Sequence, residues 1–274
     1  MTKTERAAFD REVDRIFSGR VSSPAKERSY ECVKCMDTGF IQIRDENGEE
    51  VSRRCGCMEV KRFRRLLERS GISKEFLGKR LEDFDTMGNP QLIKARDKAA
   101  RYLKYFEDFE RQRRNSIMFY GQPGSGKTHL GAAISSGLMG RGIAVAYMAY
   151  RDAVTRIKQN MTDEERYTEM IGQYMNARVL YIDDLLKGRV TESDVNIMYV
   201  IVNHRYMNNM PMIVSTEKSL EELLEFDEAV GSRIVEMSRG NMARLEGQDL
   251  NYRLYSLLGN EGGRPNGQEH RDKL

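Results

Sequence analysis

Eight consecutive residues restrict this chain more than any other feature. Gly121-Gln122-Pro123-Gly124-Ser125-Gly126-Lys127-Thr128 fills the pattern G-x-x-x-x-G-K-[ST]. The run 116–120 (SIMFY) reads as a short apolar strand entering the first glycine. After Thr128, Leu130, Ala133, Ile134 and Leu138 recur at helical spacing, and Gly140 and Gly142 end the run. Strand, glycine loop and helix together form a cradle whose backbone N–H groups and helix N-terminus face an anion. In such a cradle Lys127 reaches the β- and γ-phosphates of a nucleotide, and the Thr128 hydroxyl holds Mg²⁺. A chance match in a Gly-rich turn would lack the strand and the helix. Residues 121–128 with His129 are therefore the candidate ATP-binding segment.

A phosphate cradle of this kind belongs to an α/β fold, and the following sequence provides the strands. The run 143–148 (IAVAYM) is a second buried strand, followed by a polar helical region over about 150–176. Val179-Leu180-Tyr181-Ile182 then runs into Asp183-Asp184. Buried parallel strands have this continuous apolar character, and the ligand crevice of an open α/β sheet lies at their carboxyl ends. That position suits Asp183 to act on Mg²⁺ through its waters and Asp184 to polarise the attacking water. A surface Asp-Asp turn would be the ordinary reading of the dipeptide alone. Its place at the end of an apolar strand, downstream of a complete phosphate loop, favours the catalytic one.

The spacing predicts a helix over 192–207, a strand over 211–217 and a short helix over 220–224. A helix over 227–237, a fifth strand over 242–245 and a final helix over 249–258 follow. The tail, 259–274, is polar and Gly-rich and reads as disordered. Ahead of the cradle, Gly88-Asn89-Pro90 opens a long helix over about 91–112. The segment 72–86 carries Phe76 and Phe84, which either sit near the nucleotide base or simply dock onto the α/β unit. The fold expected is thus α/β with a five-stranded parallel sheet over 72–258.

All four cysteines fall near the N-terminus, as Cys32-x-x-Cys35 and Cys55-x-Cys57. Between them lie an alternating strand, Phe40-Ile41-Gln42-Ile43, a turn at Asp45-Glu46-Asn47-Gly48, and Val51. This is a hairpin with a cysteine pair at each foot. Four thiolates on two knuckles make a tetrahedral Zn²⁺ site, and so small a hairpin needs one because it has almost no core. Disulfides are disfavoured in a cytosolic chain. The three histidines, His129, His204 and His270, are too scattered to be ligands. Residues 1–71, with amphipathic helices over 4–18 and 58–70, form the expected zinc module.

Net charge is +3, and residues 1–73 hold the whole basic excess. Between Arg53 and Arg69, seven basic residues face only Glu59 and Glu68. This is a weak nucleic-acid signal beside the ordinary reading, a solvated helix face. No apolar run approaches the ~20 residues that span a bilayer, and the charged first residues lack a signal-peptide core. The expectation is a cytoplasmic protein with no membrane partner.

The stretches GQPGSGKTHL, VLYIDD and DEAVGSRI together resemble the DnaC/IstB branch of AAA+ ATPases, the replicative helicase loaders, over roughly 72–258. The cysteine-rich segment is similar to the zinc-bearing, helicase-binding domain of some Gram-positive loaders and phage relatives. The resemblance implies that Lys127 and Thr128 serve the phosphates and Mg²⁺, and that Asp183 and Asp184 form the second acidic motif. Arg233, in G-S-R-I, matches the arginine finger that reaches a neighbouring subunit's γ-phosphate. The family's γ-phosphate-sensing Asn is replaced here by Glu217, which phosphates repel unless Mg²⁺ or a basic partner intervenes. Little chain remains for the usual helical lid, where Arg253 is a candidate second sensor.

The expected function is ATP-dependent loading of a DnaB-type helicase onto single-stranded DNA, with self-association through the ATPase domain. Two other functions fit the same residues. One is an IstB-type transposition helper; the other is a zinc-dependent DNA-binding switch with little turnover.

Overall fold

The computed structural model describes residues 30–44, 48–58, 60–61, 79–247 and 250–252. The helix expected over 4–18, most of that over 58–70, Phe76, most of the final helix with Arg253, and the tail lie outside them.

The cysteine-rich part is a two-stranded antiparallel hairpin, β1 (Phe40–Arg44) and β2 (Glu50–Arg54), with Phe40 opposite Arg54 and Arg44 opposite Glu50. Every β2 residue is exposed, and β1 alternates between exposed and half-buried. Ile41 packs on the four cysteines, which are themselves buried. Among the described residues, the hairpin's buried cluster is these four cysteines with Ile41 against them.

The larger part is an α/β unit built on β3 (Ile117–Gly121), β4 (Val145–Ala149), β5 (Val179–Leu185), β6 (Met212–Thr216) and β7 (Met242–Leu245). The strands form one parallel sheet in the order β4-β5-β6-β3-β7. Its helices are α1 (Pro90–Lys104), α2 (Phe106–Glu110), α3 (Lys127–Gly140), α4 (Tyr150–Gln159) and α5 (Glu164–Asn176). Three more, α6 (Glu192–Met207), α7 (Leu220–Phe226) and α8 (Glu228–Ser238), follow β5 and β6.

The strands are apolar on both sides because both faces are covered. Val179 and Tyr181 of β5 join a core with α1 and α3, whereas Leu180 and Ile182 join a second with α4, α5, α6 and α8. The period of two continues to Asp183, which therefore projects on the α3 side, toward the phosphate loop. β3, the strand that feeds that loop, lies between β6 and β7. Functional groups at the strands' carboxyl ends thus converge on one crevice.

One expected element divides. The helix expected over 91–112 is broken at Tyr105 (φ −107°, ψ 25°) into α1 and α2. At the break the Leu103 carbonyl accepts a hydrogen bond from Arg141, which also pairs with Glu107. An arginine at the end of α3 thus supplies the donor that a continuous helix would take from Glu107's own backbone, a contact that helical periodicity cannot register.

Candidate nucleotide site and cysteine cluster

The phosphate loop requires its glycines. Gly121 has φ 126° and a Cβ there would run into the Leu245 backbone, while Gly126 has φ 84° and a Cβ there would meet the Phe84 ring. Those approaches place β7 and Phe84 directly against the loop. Tyr252 N–H donates to the Gly124 carbonyl at 3.0 Å, so residues 250–252 close over it from the other side. The resulting cavity of about 250 Å³ is lined by Gly124–His129 together with Asp184, Lys187 and Glu217. Phe84, Leu92, Leu250 and Tyr252 are among its other walls, apolar surface of the kind that suits a nucleotide base. Phe84 lies edge-on to His129, with ring centroids 5.3 Å apart. His129 Nε2 is 3.0 Å from the Arg80 carbonyl.

Lys127 is buried, and its Nζ donates to the carbonyls of Gly121 at 2.8 Å and Gln122 at 2.6 Å. Burial pulls its pKa below the ordinary lysine value, against the carboxylates of Glu217, Asp184 and Asp183.

Asp183, 5% exposed, sits in a cage of hydroxyls. Its Oδ1 accepts from Thr128 at 3.0 Å, from Tyr181 at 2.8 Å and from Ser215. Its Oδ2 accepts from Tyr147 at 3.0 Å. Burial raises the Asp183 pKa, and the hydroxyl donors work against that rise. Burial, then the Asp183 charge, pushes both phenols up as well, so they remain protonated donors. The tyrosine pair was not singled out in the sequence; the cue was the alternation 179-181-183, which puts Tyr181 and Asp183 on one face. Thr128 and Asp183, hydrogen-bonded at the mouth of the loop, present the hard oxygen donors that suit Mg²⁺.

Asp184 is aimed differently because β5 bulges. The β5–β6 register shifts between Ile182 and Leu185, and Asp184 takes φ 54°. Its N–H donates to Ser215 Oγ at 2.9 Å, so one serine holds both aspartates in place. Bulges re-aim side chains near reactive sites, and this one turns Asp184 into the cavity that a regular strand would point it away from. Lys187 Nζ donates to Asp184 Oδ2 at 2.7 Å and pairs with Glu217 Oε1 at 3.2 Å. The basic partner that Glu217 requires is therefore Lys187, a residue that nothing in its local sequence singles out.

Two arginines lie elsewhere. Arg233, on α8, donates to the Ala229 carbonyl at 2.6 Å and lies 5.5 and 5.3 Å from the Tyr199 and Tyr206 rings. It is not among the cavity's walls. Arg205 is wholly buried and donates to the carbonyls of Tyr174, Met175, Ala177 and Pro211.

Cysteine Sγ atoms of residues 32, 35, 55 and 57 all lie within 4.8 Å of one another. The cross-pairs Cys32–Cys55 and Cys35–Cys57 are 3.7 and 3.4 Å apart. A ZnS₄ tetrahedron with Zn–S of ~2.3 Å has edges of ~3.8 Å, whereas a disulfide needs ~2.05 Å. The cluster fits the ion and not a bond. Asp37 braces it, accepting from the N–H groups of Glu31 and Cys32 and pairing with Lys61 at 3.1 Å. The four cysteines are thus close enough to bind zinc.

The family model for the IstB-like ATP binding protein matches residues 57–235. The chain belongs to this family. The phage-like element PBSX protein XkdC of Bacillus subtilis (strain 168) is 37% identical over 82% of this chain and 86% of its own length. The replicative helicase loader DnaC of Escherichia coli (strain K12) is 28% identical over 65% of this chain and 70% of its own. A crystal structure of the DnaC helicase loader superposes with TM-score 0.52 at 22% identity, covering 64% of this chain and 99% of that one. This IstB-like chain therefore has the α/β fold of that loader's ATP-binding unit, as the sequence suggested. No helix among the described residues is long and apolar enough to cross a membrane.

Proposed function

We propose that this chain is an Mg²⁺-dependent, ATP-hydrolysing loader that escorts a replicative DnaB-type helicase onto single-stranded DNA. It works in the cytoplasm, as an assembly joined through residues 72–258, with residues 1–71 as the zinc-bearing module that meets the helicase. The observation that supports this most is the single crevice where Lys127, Thr128 and Asp184 meet beside Asp183, in a chain with a helicase loader among its relatives.

The chemistry follows from the positions of the side chains. ATP lies with its phosphates on loop 121–129, and Lys127 exchanges its two carbonyl partners for phosphate oxygens. Thr128 and Asp183 would hold Mg²⁺, which offsets the charge that builds on the phosphates. Asp184 orients the water that attacks the γ-phosphorus; the bond to the ADP oxygen breaks, and ADP and phosphate leave. Most of the rate comes from positioning and fixed charge rather than covalent catalysis.

Three substitutions separate these roles. Lys127→Ala weakens ATP binding by roughly 10–100-fold, the worth of one or two charge-assisted hydrogen bonds. Asp184→Asn keeps ATP affinity and loses ~10²-fold or more in turnover, because an amide cannot take the water's proton. Asp183→Asn lies between them and raises the Mg²⁺ concentration needed. Equal loss of nucleotide affinity in all three would contradict the assignment; affinity titration and steady-state hydrolysis read the difference.

Zinc is tested separately. Purified protein carries about one Zn²⁺ per chain, and Cys35→Ser loses both the metal and helicase binding while nucleotide affinity holds. Elemental analysis without metal, with four freely reactive thiols, would refute the module. The family model also favours a second client, because its description is IstB-like. A transposase recovered with the chain in place of a helicase would decide for that reading.

A further inference from the structure

Lys187 is anchored in the cavity by two acidic side chains of the site. Its ammonium lies 2.7 Å from Asp184 Oδ2 and 3.2 Å from Glu217 Oε1. All three groups line the cavity that also holds Lys127 and Thr128. The backbone sets this up: after β5, Asp184 (φ 54°), Leu186 (φ 60°) and Gly188 (φ 82°) turn the chain sharply, and Lys187 N–H donates to the Asp184 carbonyl at 3.1 Å. The side chain is thereby folded back over the strand end. A non-glycine residue at positive φ is uncommon, and two within three positions make this turn a built feature.

As a structural ion pair the arrangement achieves little. The side chains of Lys187, Asp184 and Glu217 are 47%, 34% and 30% exposed, and pairs that open to water contribute marginally to stability. Its value lies in the charge balance of the site. Around Lys127, the carboxylates of Asp183, Asp184 and Glu217 are answered by Lys187, and without it their field repels a terminal phosphate. Burial works against the Lys187 charge, but the bonds from Asp184 and Glu217 outweigh it and hold its pKa above the ordinary lysine value.

We propose that Lys187 is the γ-phosphate-sensing residue of this site, held by Glu217 and shared between Asp184 and the nucleotide's terminal phosphate. This rests on the ATPase reading above. A terminal phosphate carries more charge than one carboxylate and draws the ammonium from Asp184, while Glu217 keeps it at the crevice. Asp184 is then free to orient water. A diphosphate offers no such competitor, and the Lys187–Asp184 bond persists. Discrimination between triphosphate and diphosphate, and readiness for hydrolysis, thus depend on the same ammonium.

The test compares the parent, Lys187→Ala and Lys187→Arg, each shown to be folded by thermal melting. Affinities for ADP and for a non-hydrolysable ATP analogue are measured beside turnover. In Lys187→Ala, analogue affinity falls ~10-fold, within the usual range of coupling between sites, while ADP affinity stays within about twofold. Turnover falls ~10²-fold, the scale of losing one charge-stabilising donor; Lys187→Arg recovers part of both. An unchanged analogue-to-ADP ratio, or equal loss of both affinities, would overturn the sensing role while leaving the ATPase reading intact. A folded parent that binds neither nucleotide would overturn that reading, and this inference with it.

Discussion

An Arg233→Ala chain loses ~10³–10⁵ in ATP turnover, the range for removal of an arginine finger supplied in trans. Mixing it with Lys127→Ala restores part of the activity that each has lost. The expectation rests on where Arg233 is held. Its guanidinium lies against Tyr199 and Tyr206 of α6, outside the walls of its own chain's cavity, so the expectation requires a second subunit to receive it. The ordinary alternative is a surface pair with Glu228 or Glu236, of which Glu236 is engaged by Arg113 at 3.4 Å and the Tyr206 hydroxyl at 2.8 Å. A surface pair of that kind is worth ~0–1 kcal/mol and would leave turnover nearly unchanged. The two readings thus differ by orders of magnitude in rate. Parent-level hydrolysis by Arg233→Ala under assembling conditions would exclude the finger. Arg205 cannot then replace it, because it is buried within the fold, and Arg253 is the remaining candidate.

Arg205→Ala destabilises the chain by about 3–5 kcal/mol, the cost of leaving several buried carbonyls without their donor and a cavity where the side chain was. The carbonyls of Tyr174 and Met175 belong to the last turn of α5, where no intrahelical donor remains. Arg205 Nη1 reaches them at 2.9 and 3.2 Å and the Ala177 carbonyl at 2.8 Å, while Nη2 reaches Pro211 at 2.6 Å. One guanidinium thus joins the ends of α5 and α6 to the start of β6. At the usual ratio for a unit of this size, the melting midpoint falls by roughly 10 °C. Arg205→Lys recovers only part of it, because an ammonium has three donors and no planar fork. A melting curve within a degree or two of the parent for Arg205→Ala would show that water or other donors satisfy those carbonyls.

What could be read in advance depended on period and on local chemistry. The five strands announced themselves because both sheet faces are buried, giving apolar runs that end where the crevice begins. The helix over 192–207 and the strand over 242–245 coincide with α6 and β7 as expected. The phosphate loop was legible because φ-positive glycines leave a residue-type record. The Asp184 bulge was not, since aspartate enters the left-handed region without any such mark. Lys187 and Tyr147, and the structural role of Arg205, escaped sequence reading for a common reason. Each acts through a partner far away in sequence or across a turn, and lysine, tyrosine and arginine are ordinary in their local settings. The break at Tyr105 belongs to the same class, because the Arg141 side chain that bonds there comes from the end of another helix.

The most direct measurement is ATP-dependent delivery of a DnaB-type replicative helicase to single-stranded DNA already coated by single-strand binding protein, scored by helicase retained on the DNA. The chain should deposit helicase in the presence of ATP, with Lys127→Ala and the zinc-deficient Cys35→Ser both inactive. Absence of deposition by a folded, ATP-hydrolysing chain that captures no helicase would contradict the proposed function.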